Sequence, residues 1–179
     1  MKRLLLLRHA KADREGPGID DIGRRLAGRG REDAARIGRF MREEVYVPDV
    51  VLCSTATRTQ ETLELLLLEL GTRPLVQNRA DLYLAKAQAI LAAIRGARET
   101  AGALMIVGHN PGLEVCARGL TRQPEDRKLL KRYHAMTDKF PTGSLAVIDF
   151  DVGRWVDLGP GLGELELFLR PKDLHGEAG

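Results

Sequence analysis

The sequence predicts an α/β fold, a single domain over residues 1–179 with a mainly parallel central sheet and helices on both faces. First, short apolar runs alternate along the chain with longer segments of helical periodicity. Second, these runs are apolar at nearly every position, as strands are when both faces of a parallel sheet are covered. Third, the chain shows no internal repeat, linker or low-complexity block, and its length suffices for one core.

The first part of the chain alternates strictly between strands and helices. The helices are predicted from apolar residues at helical spacing and from their end residues, such as Gly71, which suits a left-handed C-cap, and Asn110, expected to be an N-cap before Pro111. The predicted elements are a strand at 3–7, a helix at 23–44 broken near Gly28 and Gly30, a strand at 50–53, a helix from Ser54 to Leu70, a strand at 75–76, a helix at 86–99, a strand at 103–107 and a helix from 111.

The last third of the chain has a different pattern. Residues 121–142 are polar and rich in lysine and arginine, and we expect them to be irregular. Residues 144–150 and 154–158 alternate between apolar and polar positions, which predicts two strands of a hairpin that turns at Asp151-Val152-Gly153. After Gly159-Pro160-Gly161, an edge segment is expected through Phe168.

Composition excludes several classes of protein. Hydrophobic residues make up 44% and charged residues 30% of the chain, which is typical of a globular protein and not of a disordered one. A net charge of +3 suits an anionic substrate but is too small to indicate nucleic-acid binding. Aromatic residues, at 4%, are too few to build stacking platforms for single strands.

The cysteines and the N-terminus predict a cytoplasmic protein. Cys53 and Cys116 lie far apart, with apolar neighbours and no CxxC motif, so we expect two buried, reduced thiols. The leucines at 4–7 resemble a signal peptide only briefly, because Arg8 interrupts them. No apolar stretch is long enough to span a membrane.

Three of the predicted strands end in residues that suit phosphate chemistry. The first ends in Arg8-His9, the second in Ser54-Thr55 with Arg58 one turn later, and the third in Gly108-His109-Asn110. Since ligands bind beyond the carboxyl ends of parallel strands, we expect these side chains to meet at one edge of the sheet.

The residue types at this edge indicate phosphoryl transfer. The arginines offer planar forks that match phosphate oxygens, and Ser54 at a helix start adds a hydroxyl and backbone N–H groups. One histidine, held through one ring nitrogen, would present the other as a nucleophile, while a second would stabilise the transferring group. No acidic cluster flanks these residues, so neither a metal nor another cofactor is predicted.

Four motifs in this order resemble those of the histidine phosphatase superfamily, branch 1. The segment Phe140-Pro141-Thr142-Gly143-Ser144 and the short chain resemble its small bacterial phosphohistidine phosphatases, and the resemblance covers residues 3–150. The motifs are Leu7-Arg8-His9-Ala10, Leu26 through Gly30 to Asp33-Ala34, Ser54-Thr55-Ala56-Thr57-Arg58-Thr59-Gln60-Glu61-Thr62, and Val107-Gly108-His109-Asn110-Pro111.

The resemblance implies a phosphoglycerate mutase-like fold and a phosphohistidine intermediate on His9, with Arg8, Arg58 and His109 holding the phosphoryl group. We expect Ser54 and Asn110 to add phosphate contacts, although Asn110 suits a helix cap better. The sequence departs from the family at Ala10, where a glycine is usual. It also has Asp81 where a glutamate proton donor is expected.

The predicted function is the hydrolysis of a phosphoryl group, with phosphohistidine in a protein as the expected substrate. A phosphohistidine would relax the need for a strong acid, because imidazole leaves readily. The alternatives are a small-molecule phosphomonoesterase or mutase of the same superfamily and, in another class, a module that binds a phosphorylated ligand without turnover. Lys11 lies near enough in sequence to His9 to touch substrate, or it is solvated. The oligomeric state is left open.

Overall fold

The computed structural model describes residues 1–14 and 16–175. Within them, six strands and six helices alternate with three short 3₁₀ turns, at Asp21–Gly23, Ala80–Leu82 and Trp155–Asp157. The strands and helices are β1 (Lys2–Arg8), α1 (Gly28–Glu43), β2 (Val50–Ser54), α2 (Thr57–Leu70), β3 (Leu75–Arg79), α3 (Ala87–Arg95), β4 (Ala103–Gly108), α4 (Gly112–Leu120), α5 (Arg127–Asp138), β5 (Leu145–Phe150), β6 (Glu164–Leu169) and α6 (Pro171–Leu174).

All six strands form one sheet in the order β3-β2-β4-β1-β5-β6. The first four are parallel neighbours, while β5 runs antiparallel to both β1 and β6. The predicted α/β fold with a mainly parallel sheet is therefore confirmed. Strand β1 lies in the middle of the sheet, so the end of β1 lies between the end of β4 and the start of β5.

The leucines of β1 are buried because both faces of the sheet are covered. Leu4 and Leu6 belong to a core cluster that includes residues of α3 and α4, while Leu5 and Leu7 belong to a second cluster with α1 and α2. Successive strand residues point to opposite faces, so both clusters draw on one continuous apolar run. None of the helices in the described part of the chain has the length and apolarity needed to cross a membrane.

Three helices are shorter than the sequence pattern predicted. The helix predicted at 23–44 starts at Gly28, after a 3₁₀ turn, and the helix predicted from Ser54 starts at Thr57. Ser54 is instead the last residue of β2. The helix predicted at 86–99 covers Ala87–Arg95 only. The predicted C-cap at Gly71 is confirmed, with a left-handed φ of 72°.

Two predictions for the last third of the chain were wrong. The segment 121–142 contains α5, which Asp126 caps by accepting hydrogen bonds from the backbone of Lys128 and Leu129. The segment is mostly polar, so its sequence showed no clear helical pattern of apolar residues. Residues 154–158 form a 3₁₀ turn and not a strand, because the buried Trp155 indole donates to the Ala101 carbonyl at 2.9 Å. The antiparallel partner of β5 is β6, where the edge segment was expected.

Candidate active site

Strand register brings the predicted site residues to one edge of the sheet. In the parallel β1–β4 pair, Arg8 lies opposite Gly108, and the backbone N–H of His9 donates to the Gly108 carbonyl at 3.1 Å. His9 and His109 therefore leave the sheet side by side, with ring centroids 5.3 Å apart. They line a cavity of about 360 Å³ together with Arg8, Arg58 and Asn110.

His9 has the hydrogen bonds of a nucleophile. Its Nδ1 lies 2.7 Å from the Ala10 carbonyl oxygen, which only accepts, so Nδ1 carries the proton. Its Nε2 is therefore unprotonated, and its lone pair accepts a hydrogen bond from the Nε–H of Arg58 at 3.3 Å. Burial, aided by the charges of Arg58 and Arg8, lowers the pKa of His9 to about 4. The ring is therefore neutral at pH 7, as a nucleophile requires.

Arg58 connects most of the groups in the cavity. It lies in the first turn of α2 and is buried. Its Nη1 donates to the backbone oxygen of Asp21 at 2.6 Å, and its Nη2 donates to the Asp21 carboxylate at 3.1 Å and faces Nδ1 of His109 at 3.4 Å. Asp21 thus fixes the orientation of the guanidinium, and its Nε–H and second Nη2–H, which face the two histidines, form a fork that suits two phosphate oxygens.

His109 is also neutral, and Ser54 lies behind it. Burial, together with the adjacent His9 and Arg58, lowers the pKa of His109 to about 3. Its Nε2 lies 2.8 Å from the Ser54 hydroxyl. Ser54 is fully buried and is not among the residues that line the cavity. Because an arginine N–H only donates, Nδ1 of His109 accepts from Arg58 in this arrangement, while the Ser54 hydroxyl, which both donates and accepts, suits either tautomer of the ring.

Arg8 and Asn110 line the cavity and are both tied to Phe140. The Nη1 of Arg8 donates to the Phe140 carbonyl at 2.8 Å, and the Asn110 amide donates to the same oxygen at 2.9 Å and to Glu114 at 3.0 Å. Asn110 was predicted as the N-cap of α4, and this was wrong. The helix begins at Gly112, and the Asn110 side chain bonds to Phe140 and Glu114 instead of the first backbone N–H groups of α4.

Asp21 is a site residue that the sequence did not single out. Among the described residues that line the cavity it is the one carboxylate. It accepts from the Tyr83 hydroxyl at 2.5 Å, from Arg24 at 3.0 Å and from Arg58. The hydrogen bond from Tyr83, with those from both arginines, lowers the pKa of Asp21 to about 2. Its place in the polar loop after β1, at the same sheet edge, was the available signal.

Asp81, the predicted proton donor, is not among the residues that line the cavity. It is exposed, in the 3₁₀ turn after β3, and its carboxylate forms two hydrogen bonds with Arg79, at 2.6 and 2.8 Å. This ion pair lowers its pKa. The neighbouring Tyr83 reaches the site instead, through Asp21.

The segment after His9 is fixed against α1 and α2. Ala10, where the related motif has glycine, is fully buried, donates to Thr62 at 3.0 Å and packs with Leu26 and Ala34. Its φ is not positive, so a side chain is tolerated there. The next residue, Lys11, lines the cavity. Within the described part of the chain, no group of three histidine, cysteine or acidic side chains is arranged to hold a metal.

Comparisons with known proteins agree with this geometry. The family model of the histidine phosphatase superfamily (branch 1) matches residues 4–82. An uncharacterized protein of Mycobacterium leprae, ML1117, is 33% identical over 169 residues, which cover 93% of this chain and all of that protein.

Two solved structures share the fold and are assigned as phosphohistidine phosphatases of the SixA type. The protein from Nakamurella multipartitia has a TM-score of 0.80 at 30% identity, covering 95% of this chain and 96% of its own. The protein from Agrobacterium tumefaciens has a TM-score of 0.76 at 29% identity, covering 95% and 98%. The similarity extends over nearly the whole of each chain.

Proposed function

Since this chain belongs to the histidine phosphatase superfamily (branch 1) and is a phosphatase, we propose that it removes the phosphoryl group from phosphohistidine in a protein. The two similar structures assigned as phosphohistidine phosphatases support this substrate class. The cavity supports it further, because cationic side chains line it and because the one carboxyl group among its described lining residues is ionised.

The first step transfers the phosphoryl group to the enzyme. The lone pair on Nε2 of His9 attacks phosphorus, and the bond between phosphorus and the substrate histidine breaks. Its electron pair stays on the substrate nitrogen. If the substrate ring carries a proton on its other nitrogen, it leaves as neutral imidazole without help from an acid. Arg8, Arg58 and His109 would stabilise the charge on the three phosphoryl oxygens. His109 would do so as the Nδ1–H tautomer, which the Ser54 hydroxyl can support by donating to Nε2 once the phosphoryl group takes the place of the Arg58 contact.

The second step returns the enzyme to its starting form. Water attacks phosphorus, the bond to Nε2 breaks, and phosphate leaves as H₂PO₄⁻. The electron pair returns to Nε2 of His9, whose Nδ1 keeps its proton against the Ala10 carbonyl throughout. The protein therefore needs no net proton transfer to His9 in either step.

The observation that carries the choice of substrate is the hydrogen bonding of Asp21, whose carboxylate accepts from Tyr83, Arg24 and Arg58. Its pKa of about 2 means that the one carboxyl group among the described lining residues is ionised at pH 7 and has no proton to give. An alkoxide leaving group needs such a proton, whereas a protonated phosphoimidazole does not. This cavity therefore favours phosphoramidate cleavage over the cleavage of alkyl phosphate esters.

The cytoplasm is the compartment that we propose for this reaction. Cys53 and Cys116 are buried thiols in core clusters on opposite faces of the sheet, so they cannot pair with each other. Burial raises the pKa of each to about 12, which leaves both as inert thiols. Unpaired buried thiols are typical of proteins from reducing compartments.

The experiment compares two synthetic peptides of one sequence, one with phosphohistidine and one with phosphoserine at the same position. We expect kcat/KM to be at least about tenfold higher for the phosphohistidine peptide, which corresponds to about 1.4 kcal/mol. The background hydrolysis of each peptide is measured with His9→Asn, whose folding is checked by circular dichroism. Equal or higher kcat/KM for the phosphoserine peptide would overturn the proposal.

A further inference from the structure

A second cavity adjoins the one that contains His9. Its volume is about 220 Å³, and it shares Lys11 and Thr142 with the first. The other residues that line it come from the first turns of α1 and from the segments before β5 and around the start of α6: Arg29, Asp33, Pro141, Arg170, Pro171 and Lys172.

The wall of this cavity is fixed to the nucleophile segment. The backbone N–H of Gly143, next to Thr142, donates to the His9 carbonyl at 2.9 Å. The Pro171 ring packs so closely on Gly143 that a Cβ there would lie 2.7 Å from Pro171 Cγ. On the other side, Ala27 donates to the Lys11 carbonyl at 2.9 Å. A substrate with its phosphoryl group at His9 therefore meets this cavity at a fixed distance.

The charge of the cavity is positive. Four cationic side chains line it, against the single carboxylate of Asp33. That carboxylate is buried and already pairs with His175 at 3.1 Å and with Arg29 at 4.0 Å. Arg170 is paired with Asp173 at 2.9 Å. Lys11 and Lys172 are exposed, and neither forms an ion pair with another residue that the structure describes.

We propose that this second cavity, with Lys11 and Lys172 as its exposed lysines, binds carboxylate side chains that flank the phosphohistidine on the substrate protein. The proposal rests on the function proposed above. Because the substrate proposed above is a protein, the anions that it brings beside the phosphohistidine are the carboxylates of aspartate and glutamate. The fork of Arg170 is occupied by Asp173, so the exposed lysines, which act as point charges, are the cations that meet them. The substrate class is thus a phosphohistidine in an acidic surface.

The test uses two phosphohistidine peptides of equal length, one with aspartate and glutamate on both sides of the phosphohistidine and one with asparagine and glutamine. The measured quantity is the ratio of their kcat/KM values, acidic over neutral. It is compared in the wild type, Lys172→Glu and Lys172→Gln. The matched control is Lys128→Glu, which makes the same charge change on α5, outside both cavities. Thermal unfolding verifies that each variant folds.

We expect a wild-type ratio of at least about threefold, since an exposed ion pair contributes up to about 1 kcal/mol. Lys172→Glu should bring the ratio to one or below, mainly through KM, and Lys172→Gln to an intermediate value, while Lys128→Glu keeps the wild-type ratio. A wild-type ratio of one, or equal effects of Lys172→Glu and Lys128→Glu, would overturn the acidic-surface proposal alone. If neither peptide is hydrolysed above the His9→Asn background, the proposed function fails as well.

Discussion

The Nε–H of Arg58 points at Nε2 of His9 across 3.3 Å, so the arginine proposed to bind phosphate contacts the lone pair proposed to attack phosphorus. The other ring nitrogen of His9 is held by the Ala10 carbonyl, which leaves the ring one tautomer and one orientation. Nucleophile and phosphate clamp are thus aligned before substrate arrives. An incoming phosphoryl group replaces a hydrogen bond that already has the right direction.

Arg58→Lys tests this relationship because it keeps the charge and removes the fork. Lysine cannot reach His9, Asp21 and His109 together, so we expect kcat/KM for a phosphohistidine peptide to fall by about 100-fold or more. Arg25→Lys is the matched control, since the exposed Arg25 pairs with the buried Glu61 outside the cavity. Similar small losses in both variants would contradict the role given to the Arg58 fork.

Asp21 is expected to act as a positioning residue through Arg58. Asp21→Ala removes a hydrogen bond to a charged group, worth about 1.5–3 kcal/mol, so kcat/KM should fall by about 10- to 100-fold. Asp21→Asn keeps an acceptor oxygen for Arg58 and should recover part of this loss. Because Asp21 is already ionised at pH 7, neither variant should remove an acid limb from the pH profile.

The opposite result would identify Asp21 as the general acid. In that case Asp21→Asn would be as damaging as Asp21→Ala, and both would slow a phosphoserine peptide more than a phosphohistidine peptide. Tyr83→Phe gives an independent check, because it removes the 2.5 Å hydrogen bond to Asp21 and leaves the carboxylate in place. We expect a smaller loss of kcat/KM from it than from Asp21→Ala.

Neutral, buried histidines make stability depend on pH. The pKa values of His9 and His109 are lowered in the fold to about 4 and about 3, below the unfolded value of about 6.5, so the unfolded chain binds more protons between these limits. The free energy of unfolding therefore falls as pH falls from 6.5 towards 4, by about 1.4 kcal/mol per pH unit for each histidine. Urea unfolding of wild type and His9→Gln measures this. His9→Gln should show the shallower slope, and equal slopes would contradict it.

We expect Gly30 to be required for the close packing of α1 against the segment that follows His9. A Cβ at Gly30 would lie 2.0 Å from the Lys11 carbonyl oxygen, whereas a Cβ at Gly28, in the same turn of α1, meets no atom within 4 Å. Gly30→Ala should destabilise the fold by about 1–3 kcal/mol and lower kcat/KM, because the backbone beside His9 must shift. Gly28→Ala should be neutral or stabilising by up to about 1 kcal/mol. Thermal unfolding of both variants compares them, and equal stabilities would contradict the close contact.

Sequence reasoning located the sheet and five of the cavity residues for one physical reason. Arg8, His9, His109 and Asn110 lie at or just after the ends of apolar runs, and Arg58 lies one turn into the following helix, so their positions follow from strand direction alone. The four parallel strands predicted from these runs, at 3–7, 50–53, 75–76 and 103–107, correspond to β1, β2, β3 and β4.

Residues placed by loops and by tertiary packing could not be located in this way. Asp21 and Tyr83 come from different connections and meet only because each of them also contacts Arg58. The segment of α5 is so polar that its sequence did not indicate a helix. Around the buried Trp155, apolar and polar residues alternate as in a strand, although they form a short 3₁₀ turn. Asp81 follows β3 and lies outside the cavity, where its carboxylate pairs with Arg79 instead.

A covalent phosphoenzyme on His9 is the central claim, and trapping it is the most direct test. The enzyme is mixed with a radiolabelled phosphohistidine peptide and quenched in alkaline detergent, in which phosphohistidine survives. Mass spectrometry then locates the label. We expect the label on His9 in the wild type and in His134→Asn, an exposed histidine on α5, and none in His9→Asn. Turnover by the wild type without label on His9, or label and turnover that persist in His9→Asn, would contradict the account.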